Sequence, residues 1–65
     1  MKTFMVFEGS DINDNSVVSN FRKKERALKY AKKSSYKYVL VNLYDGSNGD
    51  EMANYEDTIY ERRSK

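Results

Sequence analysis

The run Tyr36-Lys37-Tyr38-Val39-Leu40-Val41-Asn42-Leu43-Tyr44 constrains this chain more than any other stretch. It is dense in aromatic and β-branched residues, too short for an amphipathic helix, and closed by the turn signal Asp45-Gly46, so it reads as a strand. Side chains alternate across a strand. Val39, Val41 and Leu43 therefore share one face with Lys37, and Tyr36, Tyr38, Leu40 and Tyr44 share the other with Asn42. One face is aliphatic and the other is mostly phenolic, and the rest of the chain has to cover at least the first.

The pattern predicts the covering element. From about Lys23 to Lys33, Ala27, Leu28 and Ala31 fall on one arc of a helical wheel with Tyr30 at its flank, and Arg22, Arg26, Lys29 and Lys33 fall on the opposite arc. A stripe built from such small residues lets the helix lie close against a sheet, and Phe21 just before it can pack on the same side. Its start is poorly capped. Ser19 or Asn20 could cap a longer helix, but Lys23-Lys24 stands where the macrodipole favours acids, whereas Lys32-Lys33 suits the far end.

The remaining segments supply further strands. Thr3 to Glu8 is apolar at every position from Phe4 to Phe7, as expected of a strand that is covered on both faces or is central in its sheet. Gly9 to Ser16 is a cluster of turn formers, after which Val17-Val18 either begins a short return strand or stays in a loop. Asp45-Gly46-Ser47-Asn48-Gly49 holds two dipeptides that favour a tight reversal. A last strand is expected over Tyr55 to Glu61, at a sheet edge because its alternation is imperfect: Tyr55 and Ile59 share a face with Asp57, and Thr58 and Tyr60 point the other way. The charged tail Arg62-Arg63-Ser64-Lys65 is expected to fray. The expected fold is thus α+β: one domain over residues 1–65, with a three- or four-stranded, mainly antiparallel sheet and one helix on one face, in the order β-(β)-α-β-β.

Sixty-five residues without a cysteine or histidine leave no disulfide and no thiolate- or imidazole-bearing metal cluster to reinforce a small core. The same inventory removes thiolate and imidazole chemistry, so Ser, Lys, Tyr and carboxylates are the only catalytic candidates. No serine lies in a nucleophile-elbow context, and Gly46-Ser47-Asn48-Gly49 lacks the strand-to-helix setting of a phosphate loop. The pairs Asp50/Glu51 and Glu56/Asp57 are sequence neighbours, which point to opposite faces of a strand. Asp11-Ile12-Asn13-Asp14-Asn15 alternates oxygen ligands but has neither the mid-loop glycine nor the closing Glu of an EF-hand. The expectation is a protein that is not an enzyme and has no cofactor or metal. No run approaches the roughly 20 apolar residues of a membrane helix, and the first residues lack a signal-peptide cleavage pattern, so no membrane association and a cytoplasmic location are expected.

Two surfaces remain as candidates for function. The basic stripe Arg22, Arg26, Lys29 and Lys33 belongs to a segment, residues 22–33, with seven basic residues against Glu25 alone. Like charges at i, i+4 repel by a few tenths of a kcal/mol, and an acidic neighbour would relieve them: the chain's own C-terminal acids, a partner protein, or nucleic acid. The ordinary reading of such a run is a solvated helix face. The second surface is Tyr36, Tyr38, Leu40 and Tyr44, extended by Tyr60 or Met5 from neighbouring strands. Tyrosine pairs apolar area with a polar tip and is enriched where surfaces meet partners, although tyrosines also shield the open side of ordinary antiparallel sheets.

In size, lack of catalytic groups and split surface charge the chain resembles the small accessory proteins of bacteriophages that bind and block a larger host protein. That resemblance is one of general style, spans no signature residues and assigns no site. The leading expectation is a non-enzymatic module that binds another protein and modulates or inhibits it. The alternatives are a small nucleic-acid-binding protein using the basic helix and a homo-oligomeric structural protein.

Overall fold

The computed structural model describes residues 2–46 and 54–63. Four strands and one helix follow one another as β1 (Lys2–Gly9), β2 (Val17–Phe21), α1 (Lys24–Lys33), β3 (Tyr38–Asp45) and β4 (Asn54–Arg63). The strands form one sheet in the order β2-β1-β3-β4, and every neighbouring pair is antiparallel. Residues 17–21 are therefore a strand, and the order is β-β-α-β-β. The apolar run of β1 and the tyrosine-rich run of β3 are the two central strands, in register with Val6 opposite Val41 and Phe7 opposite Leu40.

The helix lies over β1, β2 and β3. Ala27 and Ala31 are fully buried and meet Val6, Val39 and Val41, with Phe4, Phe21, Ile59 and Tyr60 packed around them. The two alanines bring the helix axis close, so three valines suffice to fill the space beneath it. The helix starts at Lys24 with Lys23 in the N-cap position, and Lys23 makes no side-chain cap hydrogen bond. Among the described residues no helix is long and apolar enough to cross a membrane.

Three details depart from the strand pattern, and each has a local cause. β3 begins at Tyr38 and not at Tyr36. Tyr36 N–H donates to Ser34 Oγ at 3.2 Å, and Arg62 Nη2 donates to the carbonyls of Ser34 at 2.7 Å and Tyr36 at 2.6 Å, so side chains take the groups a strand ladder would use. Next, β4 runs through Arg62-Arg63 and is irregular opposite Val41/Asn42 and Leu43/Tyr44. These irregularities overturn the simple alternation: Thr58 stands opposite Asn42 but Tyr60 stands opposite Val41, and Tyr55 stands opposite Tyr44 but Asp57 opposite Leu43. An extra residue in one strand reverses the facing of everything beyond it. Tyr60 consequently belongs to the helix-covered face.

The third departure is Glu8. It ends the apolar run in the sequence but lies opposite Val39 inside β1, on the helix side, and is only 2% exposed. Ser34 Oγ, just past the helix, donates to Glu8 Oε2, and among the described residues Oε1 has no hydrogen-bond partner.

Candidate interaction surfaces

The register sorts the side chains into two faces. Phe4, Val6, Glu8, Val39, Val41, Leu43, Tyr60 and Arg62 lie towards the helix, along with Val17, Ser19 and Phe21. The opposite face carries Thr3, Met5 and Phe7 from β1, Val18 and Asn20 from β2, Tyr38, Leu40, Asn42 and Tyr44 from β3, and Tyr55, Thr58, Glu61 and Arg63 from β4. No helix or strand among the described residues covers this second face.

Its tyrosines play unequal parts. Tyr38 stands opposite Gly9, which offers no side chain to lift it, and is only 3% exposed. Its hydroxyl donates to Glu61 Oε2 at 2.8 Å, and Arg63 holds the same carboxylate from Nε and Nη2, each at 3.2 Å. Burial, together with the hydrogen bond and negative charge of Glu61, pushes the Tyr38 phenol up to about 12. Accepting from Tyr38, with Arg63 beside it, holds Glu61 below the usual carboxylate range.

Tyr44 is half-buried. Asn42 Nδ2 donates to its hydroxyl at 3.2 Å, and its ring meets Tyr55 edge-on at 6.0 Å. Asn42 Oδ1 in turn accepts from Thr58 Oγ1 at 2.9 Å, and Thr58 shares a 2.8 Å hydrogen bond with the Tyr55 hydroxyl. Leu40 is half-buried between Phe7 and Glu61. Tyr36 lies outside the sheet and is 43% exposed, and Tyr60 is on the other side altogether. What remains accessible and apolar on the open face is a band that touches all four strands: Val18, Phe7 and Leu40 in one row, Met5 beside it, and Tyr44 with the 56% exposed Tyr55 at its β4 side. Reading β3 alone finds Leu40 and Tyr44. Phe7 and Val18 join them only once the register is known.

The basic stripe occupies a definite place. Tyr30 leans over β2: its ring lies 5.2 Å from that of Phe21, and its hydroxyl accepts from Ser19 Oγ at 3.4 Å. With Ala27 and Ala31 against the sheet and about 100° per residue around the wheel, Arg26 and Lys33 fall just beyond Tyr30 on that same flank. Lys29 follows towards solvent, and Leu28 and Lys32 fall on the flank away from β2. Arg22 directly follows the last residue of β2 and precedes the helix. All four cations are exposed.

Among the described residues the chain's own acids do not neutralise this stripe. Glu56 binds Lys2 at 2.6 Å and Glu61 binds Arg63, both at the β4 side of the sheet, and among the described residues no basic side chain of the helix is in an ion pair. Asp50 and Glu51 lie outside the described residues, as do Ser47, Asn48 and Gly49 of the expected reversal.

The Asp11–Asp14 segment spends its oxygens on itself. Asp11 Oδ1 accepts from Asn13 N–H at 2.7 Å, and Asp14 Oδ2 accepts from Ser10 Oγ at 2.6 Å. The Asp14 carbonyl accepts from Ser10 N–H at 2.8 Å, and Asn15 Nδ2 donates to the Ile12 carbonyl at 2.8 Å. Among the described residues no group of acids is placed to hold a metal ion. No family model, curated protein sequence or solved structure matches this chain.

Proposed function

We propose that this protein is a non-enzymatic binding module that occupies the surface of another protein through the open face of its sheet. The observation that carries the reading is the uncovered band of Phe7, Leu40, Val18, Met5 and Tyr44 opposite the helix. Apolar and aromatic area presented on a rigid sheet is what an interface core requires. Tyr38, sunk beneath Glu61 and Arg63, supports the face from within instead of meeting a partner. The helix cations, without an ion pair among the described residues, supply electrostatic steering towards an acidic protein, and they oppose a second copy, which brings charge of the same sign.

The test is affinity capture of a host protein by the wild-type chain and by a Met5→Lys/Leu40→Lys double variant, with circular dichroism to establish that the variant is folded. Loss of capture by a folded variant is the expected outcome, and full capture overturns the proposal. Light scattering at the same concentrations distinguishes a homo-oligomer, whose mass would be a multiple of the monomer. Nucleic-acid binding through Arg22, Arg26, Lys29 and Lys33 would instead appear as DNA or RNA retention that falls steeply with salt.

A further inference from the structure

We infer that the outer edge of β2 is a docking site for an extended, acidic segment of a partner protein, which adds to the sheet as a fifth strand beneath the basic flank of the helix. This inference rests on the protein-binding reading and specifies the partner's chemistry. Two observations meet at β2. The first is an edge without the usual defences. Val17-Val18-Ser19-Asn20-Phe21 has no charge, no proline and no irregularity in its pairing with β1, and Val18 is 44% exposed. Among the described residues no further strand pairs with its outer side. Such an edge presents free backbone donors and acceptors to any extended chain of suitable side groups.

The second observation is the overhanging charge. Tyr30 fixes which flank of the helix looks over β2, and that flank carries Arg26 and Lys33, with Lys29 above and Arg22 at the strand's end. A strand added beside β2 would alternate its side chains between the helix side and the open side. Acids at the helix-side positions would meet cations that have no ion pair among the described residues, and apolar residues at the other positions would extend the band that begins at Val18.

The same geometry argues against a second copy as the occupant. Antiparallel pairing of β2 with its own twin requires a two-fold axis perpendicular to the sheet, which places both helices on one face with their basic flanks towards each other. Nucleic acid could answer the charge but not the strand edge, because it offers no peptide ladder to pair with.

The test is a titration of the full chain, followed by backbone amide NMR, with a short synthetic peptide of alternating valine and glutamate. A valine–lysine peptide and a single-stranded oligonucleotide serve as comparisons. The expected result is that the glutamate peptide perturbs and protects the β2 amides, the lysine peptide does not bind, and Arg26→Glu with Lys33→Glu weakens binding about tenfold. Shifts confined to the helix, equal binding of the oligonucleotide, or no binding of the glutamate peptide would each overturn the inference. The two proposals fail separately. If host-protein capture is lost in Met5→Lys/Leu40→Lys but kept in Arg26→Glu/Lys33→Glu, edge docking is wrong and the open-face reading stands.

Discussion

β4 and β2 border the same sheet, and they are finished in opposite ways. β4 is ten residues long, carries two irregularities in its pairing, and is tied down by its own polar side chains. Arg62 reaches the carbonyls beyond the helix, Glu61 is shared by Tyr38 and Arg63, Thr58 joins Asn42 to Tyr55, and Glu56 holds Lys2. β2 is five residues long and uncharged, and its side-chain hydrogen bond among the described residues is the long one from Ser19 to Tyr30. Charges and bulges are how natural sheets refuse additional strands. One edge carries both devices and the other carries neither. In so small a core, the polar contacts along β4 also stabilise from outside it, whereas β2 depends on its turn and on the Tyr30–Phe21 contact.

The largest effect expected from breaking this contrast comes at the turn that holds β2 in place. A Cβ on Gly9 would overlap the Asp14 carbonyl oxygen and Asn15 Cα, and both are backbone atoms that cannot swing aside. Gly9→Ala should cost about 3 kcal/mol by urea denaturation, the upper part of the range for overpacking. Amide exchange should accelerate first in residues 10–21. Uniform acceleration across all four strands would mean that β2 is not the weaker edge.

Alkali loosens the β4 side through Tyr38, and the comparison with Tyr38→Phe isolates that effect. Tyr38 keeps its proton to about 12 in the folded chain against an ordinary value of 10.0, so between those values the unfolded chain ionises while the folded one does not. The unfolded state then binds fewer protons, and stability falls with rising pH, by on the order of 2 kcal/mol across the window. Tyr38→Phe should flatten that slope. At the acid end the sign reverses. The lowered pKa of Glu61 gives stability that is present at neutral pH and lost as pH falls through the folded-state value. Denaturation midpoints against pH for the wild type and Tyr38→Phe measure the alkaline arm, and Glu61→Gln tests the acid one.

Ser34 joins the two halves, because its hydroxyl meets Glu8 of β1 while its carbonyl accepts from Arg62 of β4. Ser34→Ala keeps the Arg62 contact and removes both the hydrogen bond to Glu8 and the one Tyr36 N–H donates to Ser34 Oγ, leaving the buried Glu8 carboxylate without a hydrogen bond among the described residues. The expected loss is about 1.5 kcal/mol, and Glu8→Gln in the same background should recover part of it. No loss would show that water serves Glu8 as well as Ser34 does.

Much of this architecture is legible in the residues, and what is not has physical reasons. Continuous apolar runs mark β1 and β3 as central strands, and the alanine spacing marks the helix. The facing of Tyr60 is not legible, because a bulge adds a residue without altering composition. Tyr36 reads as strand because nothing local reveals that Arg62, far along the chain, will claim its carbonyl. Glu8 reads as the end of a strand because an acid inside one is the exception, and its partner Ser34 is distant in sequence. The basic stripe is plain from its period, but periodicity relates residues around an axis and says nothing of which strand lies below. Only the contacts of Tyr30 place it over β2.

The smallest effect concerns the helix that overhangs that edge. Lys23 occupies the N-cap position with extended backbone, φ −112° and ψ 132°, and its side chain caps nothing. A cap residue with a short side-chain oxygen can accept from an orphan N–H of the first turn, and an anion there also suits the helix dipole. Lys23→Asp should therefore stabilise the fold by about 0.5 to 1 kcal/mol, seen as a higher urea midpoint with an unchanged slope. Added salt should reduce only the dipole part of the gain. Arg26, Lys29 and Lys33 are untouched by this change, so a tighter helix start should leave affinity for the glutamate peptide within about twofold of wild type, since an exposed charge distant from the contact contributes little. A large loss of affinity would move the acidic contact from the flank over β2 to the helix N-terminus.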